Sequence, residues 1–186
     1  MNLFMDVNKE ILDGCVQGRA SAQRRLFDDY SRLLLGVCMR YAGNTGEAED
    51  ILQEGFVKIF LNIKDFKGEG SLVAWMRRIM INTAITHYHK MRKHRYHDDL
   101  EELRESRIED RAWEEADFTR QELFEVIQRM PEGYRMVFML YAVEGYKHRE
   151  IAEIMEIDEN TSKSQYSRAR RWLQDRLNRI ADHTRK

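Results

Sequence analysis

The chain has 186 residues, 42% hydrophobic and 34% charged, with a formal net charge of −1. This length allows one domain or two small ones, and the composition is that of a globular protein with a heavily solvated surface. The near-neutral net charge excludes a uniformly basic coat, so any nucleic-acid surface must be local. Isolated cysteines, the lack of a leader-like start and the lack of a long apolar run predict a cytoplasmic protein without membrane insertion.

A single proline and many Leu, Glu, Arg and Met residues favour an all-α fold. Apolar periodicity predicts three helices in the first part of the chain, over residues 7–16, 20–41 and 44–62. Asn44 and Glu47 form a capping-box-like pair at the start of the third helix. The other face of that helix presents Asp50, Gln53 and Glu54 near its N-terminus, where carboxylates also suit the helix dipole.

A glycine-bearing loop over residues 64–70 precedes a helix predicted from Leu72 to Lys93. From Met76 to Arg95 this stretch contains no acidic residue, and its basic residues alternate with aromatic and amide side chains. That mixture suits contact with a nucleic-acid backbone and exposed bases. A basic face that is merely solvated is the alternative.

The charge of the sequence changes from basic to acidic over residues 98–117, which contain ten acidic residues and three arginines. Such a stretch is typical of a flexible or loosely helical linker. The sequence therefore predicts two small helical domains, residues 1–95 and 119–186, joined by an acidic linker over residues 96–118.

Two helices are predicted at the start of the second domain, over residues 122–130 and 131–143, with the second ending at Gly145. A short helix around Ile151, a turn and a longer basic helix starting near Asp158 or Asn160 follow. This arrangement predicts a four-helix domain with a helix-turn-helix whose second helix enters a DNA major groove. Any helical hairpin with a solvated basic face would give the same pattern.

Enzymatic motifs are lacking in the sequence, which contains no GxSxG, P-loop or HExxH pattern. His87 and His89 are two residues apart and so point to different sides of a helix. No nearby carboxylate or cysteine completes a metal-ligand set with His87 and His94. The sequence predicts no catalysis, no metal and no cofactor.

Two groups of motifs resemble the bacterial sigma factors of the extracytoplasmic-function group, in the sigma-70 family. In the first half they are residues 48–60, with the sequence AEDILQEGFVKIF, the tripeptide Phe66-Lys67-Gly68, and residues 75–82, with the sequence WMRRIMIN. In the second half they are residues 130–135, 149–152, 161–164 and 167–170, with the sequences MPEGYR, REIA, TSKS and SRAR. The order and separation of these motifs are more specific than any one of them.

The resemblance implies a transcription initiation factor that binds core RNA polymerase, recognises the −35 and −10 promoter elements and promotes strand opening. It implies contact with the clamp helices of the largest polymerase subunit through Asp50, Gln53 and Glu54, and a further contact with the flap region. It implies promoter DNA as a partner, both as duplex and as the non-template single strand. An anti-sigma factor is a further partner that the resemblance allows.

The residues that the resemblance assigns to DNA fall into two sets. Those for the −10 element are Phe66, Lys67, Gly68, Arg77, Arg78, Asn82, Lys90, Arg92 and Lys93. Those for the −35 element are Thr161, Lys163, Ser164, Gln165, Ser167, Arg168 and Arg171. Arg168 is the strongest base-reading candidate because arginine contacts guanine bidentately, whereas Phe66 is expected to anchor its loop.

Three positions in the second domain depart from the family pattern. Ser162 replaces the usual buried valine, Gln165 replaces a common arginine, and Glu156 replaces a frequent turn glycine. These departures bear on the promoter sequence more than on the fold. The alternative function is a two-domain helix-turn-helix regulator that binds duplex DNA without polymerase.

Overall fold

The computed structural model describes residues 9–68, 70–95 and 118–184, and this part of the chain is helical, with eight α helices and no strand. The predicted all-α fold is thereby confirmed. Chain contacts divide the molecule into two compact units, Met1–His87 and Tyr88–Lys186. The predicted acidic linker, apart from Phe118, lies outside the described residues.

The first unit contains three helices and most of a fourth, with bounds α1 Lys9–Val16, α2 Ala20–Cys38, α3 Thr45–Asn62 and α4 Leu72–Arg95. The side chain of Asn44 caps α3 by accepting a hydrogen bond from the backbone N–H of Glu47, at 2.9 Å. The carboxylate of Glu47 accepts a hydrogen bond from the backbone N–H of Gly43. In a standard capping box it would accept from the N–H of the cap residue itself, which is Asn44.

The core of the first unit forms where the apolar faces of the helices meet. Its fully buried large side chains include Leu26, Leu34, Ile51, Ile59, Met76 and Met80. The apolar repeat predicted for α2 is only partly buried, because Phe27 and Leu33 remain 37% and 46% exposed. Both cysteines are buried as free thiols, and burial raises the pKa of Cys38 to about 12.

Gly55 on α3 lies where a side chain of α4 leaves no room for a Cβ atom. A Cβ at this position would overlap the sulfur of Met80 and lie 2.9 Å from its methyl carbon. Because Met80 is fully buried but flexible, we expect Gly55→Ala to lower the free energy of unfolding by about 1–2 kcal/mol. Urea unfolding followed by Trp75 fluorescence, with Trp113 and Trp172 replaced by Phe, measures this in the first unit.

Gly36→Ala is the matched control for Gly55→Ala. Gly36 lies inside α2, and no neighbouring atom would come within 4 Å of an added Cβ. Alanine should therefore raise the stability of the first unit by up to about 1 kcal/mol through its helix propensity. Equal losses in both variants would contradict the steric explanation.

The second unit contains the end of α4 and four further helices, with bounds α5 Arg120–Gln128, α6 Glu132–Phe138, α7 His148–Met155 and α8 Glu159–Thr184. Thr119 begins α5 with a complete capping box to Glu122. One core cluster of this unit joins α5 and α8 through Val126, Met130, Ala169, Leu173 and Leu177. The predicted four-helix domain with a helix-turn-helix is present.

The helix predicted over residues 131–143 is shorter than expected and changes its pitch. α6 ends at Phe138, and residues Met139–Val143 continue as a π-helical segment in which Glu144 N–H donates to the carbonyl of Met139. A π turn holds an extra residue and rotates the side chains that follow it. Tyr141, which lies in this segment and whose helical spacing from Val137 and Phe138 predicts burial, is 38% exposed.

Arg135 on α6 is a buried cation, with only 3% of its surface exposed. Its Nη1 donates to the carbonyl oxygens of Gln128 at 2.9 Å and Met130 at 3.1 Å. These carbonyls close the end of α5 just before Pro131. The guanidinium therefore joins α6 to the C-terminus of α5.

Candidate nucleic-acid interface

The helix-turn-helix consists of α7 and the first half of α8. Ile151 and Met155 on α7 and Ala169 on α8 are buried, so the predicted apolar stripes do face inward. The turn between the helices passes through Glu156, which has left-handed backbone angles (φ 53°, ψ 49°). A left-handed residue ends a helix sharply and is commonly glycine, which is consistent with Glu156 standing where the family often has one.

Four side chains among the predicted −35 residues form one exposed face on α8. Lys163, Ser167 and Arg171 are exposed at spacings of four residues, which place them on one side of the helix, and the exposed Arg168, three residues before Arg171, lies at the edge of this face. Lys163 Nζ lies 2.6 Å from a carboxylate oxygen of Glu159, and this ion pair lowers the pKa of Glu159. The face therefore presents two exposed arginine side chains, together with one lysine that is paired with Glu159 near the start of the helix.

Two further predicted residues, Thr161 and Ser164, lie in the first two turns of α8. Thr161 is half-buried, and its backbone carbonyl accepts a hydrogen bond from the exposed Ser164 hydroxyl at 3.0 Å. The Ser164 oxygen keeps its acceptor sites, and so can accept from a base-edge amino group or bind a water.

Gln165 is placed away from this face. Its side chain is half-buried against Gly133 of α6, and its Oε1 is buried without a hydrogen-bond partner. The position follows from helical geometry, because Gln165 comes three residues after Ser162 and four before Ala169, which are both fully buried. This burial was not predicted from the sequence, in which the family resemblance placed Gln165 among the −35 residues.

The sequence also missed the partner of Ser162. The buried Ser162 hydroxyl lies 3.0 Å from Nδ1 of His148, the first residue of α7. The imidazole stacks on Tyr141 with ring centroids 4.3 Å apart and meets Tyr166 edge-on at 5.8 Å. A polar residue on an otherwise apolar stripe requires such a partner, and this is the signal that could have indicated it.

In the first unit, the predicted −10 residues lie on the loop after α3 and on α4. Phe66 is half-buried, with its ring 5.7 Å from that of Trp75, in the anchoring position expected for it. Lys67 and Gly68 are exposed, and Gly68 has a positive φ of 75°. The loop thus offers a backbone that a planar group can approach closely.

On α4, Arg78 and Asn82 are exposed one helical turn apart, whereas Arg77 is half-buried. Lys90 and Arg92 belong to the second unit. There Lys90 is exposed, and Arg92 Nη1 donates to the carbonyl of Met155 at 3.3 Å. The nine predicted residues are therefore divided between the two units, and the side chain of Lys93 lies outside the described part of the chain.

The predicted polymerase-binding residues lie on α3. Asp50 and Gln53 are exposed, and Glu54 is half-buried with its carboxylate 2.9 Å from Lys58 Nζ. The same face continues into two residues that the sequence analysis did not name, Val57 and Leu61, which are 57% and 68% exposed. It is polar towards the start of α3 and apolar towards its end.

No group of three or more His, Cys, Asp or Glu side chains in the described residues is arranged to hold a metal ion. None of their helices has the length and apolar character needed to cross a membrane.

An all-helical chain with an exposed basic face on the second helix of a helix-turn-helix is a DNA-binding protein in its general class. Two family models match it in sequence order, "Sigma-70 region 2" over residues 26–94 and "Sigma-70, region 4" over residues 120–173. The chain belongs to the extracytoplasmic-function (ECF) RNA polymerase sigma factors of the sigma-70 family. Sigma factors are transcription initiation factors and not enzymes.

Curated relatives are similar over nearly the whole chain. The Bacillus subtilis ECF sigma factor SigW is 30% identical, over 87% of this chain and 91% of its own. The Haemophilus influenzae ECF sigma-E factor is 27% identical, over 91% of this chain and 95% of its own. Among solved structures, the Bartonella quintana sigma factor RpoE, in complex with the anti-sigma factor NepR, is 21% identical with a TM-score of 0.48, over 83% and 96% of the two chains.

Proposed function

We propose that this chain, as an ECF sigma factor, binds core RNA polymerase through α3, reads the −35 element with α8 and opens the −10 element with α4 and the loop before it. The observation that carries the proposal is the exposed face of α8, formed by Lys163, Ser167, Arg168 and Arg171. It lies within the stretch matched by the region 4 family model. The chain performs no catalysis itself, and it works in the cytoplasm, where core polymerase is found.

For the −35 element, α8 enters the major groove with its N-terminal half. Arg168 reads a guanine through paired hydrogen bonds, because its guanidinium matches the O6 and N7 acceptors. Lys163 and Arg171 contact phosphates on either side of the groove. The short side chains of Ser164 and Ser167 add hydrogen bonds to the DNA. When Lys163 moves to a phosphate it leaves Glu159, so this contact carries the cost of an ion pair that is half-exposed and therefore weak.

For the −10 element, Lys67 and Gly68 receive a base that has left the non-template strand, with Phe66 holding the loop to Trp75. Arg78 and Asn82 lie one turn apart on α4 and contact the strand beside that base. Extruding a base costs a few kcal/mol, and capture of the extruded base offsets this cost. Strand opening then needs no nucleotide hydrolysis.

For polymerase, the face of α3 combines the carboxylate of Asp50 and the amide of Gln53 with the exposed side chains of Val57 and Leu61. Carboxylates steer the approach to a basic partner, and apolar side chains supply most of the area that is removed from water. The clamp helices of the largest subunit are the proposed partner. We also propose that the second unit, which reads the −35 element, contacts the flap region of the polymerase. An anti-sigma factor is a further proposed partner.

Replacing both Asp50 and Gln53 by alanine should weaken holoenzyme assembly roughly tenfold, because steering and register are lost together. Fluorescence anisotropy of the labelled chain titrated with core polymerase measures this. Glu153→Ala is the control, since it removes one charge from an exposed side chain of α7, in the second unit. An unchanged affinity in the double variant would remove α3 from the interface.

The function itself is tested by in vitro transcription with bacterial core polymerase on a promoter library, with and without the chain. We expect a set of transcripts that depends on the chain and shares −35 and −10 sequences. The two-domain regulator predicts a different result, which is tight sequence-specific binding of duplex DNA by the isolated chain and no new transcript with core polymerase. That result would overturn the proposal.

A further inference from the structure

Ser162 and His148 join the starts of the two helices of the helix-turn-helix. Ser162 is completely buried in the first turn of α8, and His148 is the first residue of α7. Their Oγ and Nδ1 atoms are 3.0 Å apart, within hydrogen-bonding distance. A buried hydroxyl that loses its hydrogen-bond partner destabilises the fold, so the two residues depend on each other.

The imidazole of His148 is held on more than one side. Tyr141 of the π-helical segment stacks on it with an interplanar angle of 14°. Tyr166 of α8 meets it edge-on and also lies 4.4 Å from Tyr141, ring centroid to ring centroid. The ring cannot swing away without breaking this aromatic group. The hydrogen bond to Ser162 therefore fixes the position of the first turn of α8.

Ser162 is followed directly by Lys163 and Ser164, which stand on the exposed side of that turn. We propose that His148 is a positioning residue for −35 recognition, which acts through Ser162 to hold the N-terminal turn of α8 in the register that its exposed side chains need. This inference rests on the proposed −35 function. It assigns a role to Ser162, which stands where the family has a valine, and to a histidine that touches no DNA itself.

The surroundings of the imidazole favour its neutral form, mainly through burial. Burial and the neighbouring Lys163 lower the pKa of His148, and Glu159, also on α8, opposes them. Tyr141 and Tyr166 are the other titratable groups that the ring contacts. Because the folded state binds the proton less readily than the unfolded state, this contribution to stability is complete above the unfolded pKa of about 6.5 and decreases as the pH falls below it.

The test compares holoenzyme binding to two promoters, one with the −35 element selected by transcription and one with that element substituted. The quantity measured is the ratio of the two affinities. We expect His148→Ala and Ser162→Ala each to lower this ratio roughly three- to tenfold, which is the range of one hydrogen bond. The double alanine variant should lower it no further than either single variant, since both remove the same bond.

Two further variants separate positioning from folding. His148→Asn keeps a group able to hydrogen-bond near the Nδ1 position, and we expect it to restore most of the ratio. The wild-type ratio should vary between pH 5.5 and 7.5 as the imidazole titrates, and the ratio of His148→Asn should not. His148→Phe combined with Ser162→Val fills the same space with apolar atoms. This variant should therefore fold even if one of the alanine variants does not. We expect this apolar pair to keep a lowered ratio, because it lacks the directional bond.

Three outcomes would decide against the inference or its basis. Equal losses on both promoters, with the ratio unchanged in every His148 variant, would show that His148 only packs the fold. Additive losses in the double variant would show that His148 and Ser162 act separately. A wild-type ratio of one would instead overturn the proposed −35 function, whatever the variants do.

Discussion

Arg135→Ala is expected to lower the free energy of unfolding of the second unit by about 2–4 kcal/mol. The substitution leaves the carbonyls of Gln128 and Met130 without their buried donor, and each unsatisfied group costs about 1–3 kcal/mol. It also removes a side chain that packs with only 3% of its surface exposed. Urea unfolding followed by Trp172 fluorescence, with Trp75 and Trp113 replaced by Phe, isolates this unit.

Arg135→Met separates the two contributions to that loss. Methionine fills a similar volume without donating a hydrogen bond, so its loss of stability should be smaller than that of alanine but should not vanish. If Arg135→Met were as stable as the wild type, the hydrogen bonds to the end of α5 would contribute nothing. In that case Arg135 would be a packing residue only.

Arg168→Ala is expected to leave stability unchanged. It should weaken the binding of holoenzyme to its selected −35 element by about 1–3 kcal/mol of binding free energy. Arg168 is exposed, so its removal opens no cavity and leaves no buried partner. The preference for one base pair of the element should also flatten, because the paired hydrogen bonds to guanine are lost. Competition binding with single-base-pair variants of the promoter measures both effects.

Arg170→Ala is the matched control for Arg168→Ala. It removes the same charge from an exposed residue of the same helix, which lies about 200° around the helix axis from Arg168. We expect a small loss that is equal on every promoter. If Arg168→Ala behaved in this way too, Arg168 would contact phosphate and would not read a base.

Helix boundaries could be predicted from the sequence where a local capping group sets them. The Asn44 side chain begins α3 as expected. In contrast, α5 begins at Arg120, two residues before its predicted start, because the capping box between Thr119 and Glu122 was not predicted. The π-helical segment after Phe138 could not be predicted, because hydrophobic spacing does not distinguish a turn that contains one extra residue. The exposure of Tyr141 follows from that missed turn.

The candidate site shows the same division between local and distant causes. Lys163 and Ser167 are four residues apart, so helical spacing places them on one face of α8, and the resemblance to the family assigned both of them, with Arg168, to DNA. The hydrogen bond between His148 and Ser162 and the packing of Gln165 on Gly133 join residues far apart in sequence, and periodicity says nothing about such pairs. The division of the basic residues of α4 between two units has the same origin.

The burial of the two thiols has a consequence for the conditions under which the chain can work. Peroxide and other mild oxidants react with the thiolate form of an accessible cysteine. Cys15 and Cys38 are both buried, and with a pKa of about 12 the thiol of Cys38 is almost never ionised near neutral pH. These two thiols should therefore resist oxidation by peroxide for as long as the chain stays folded.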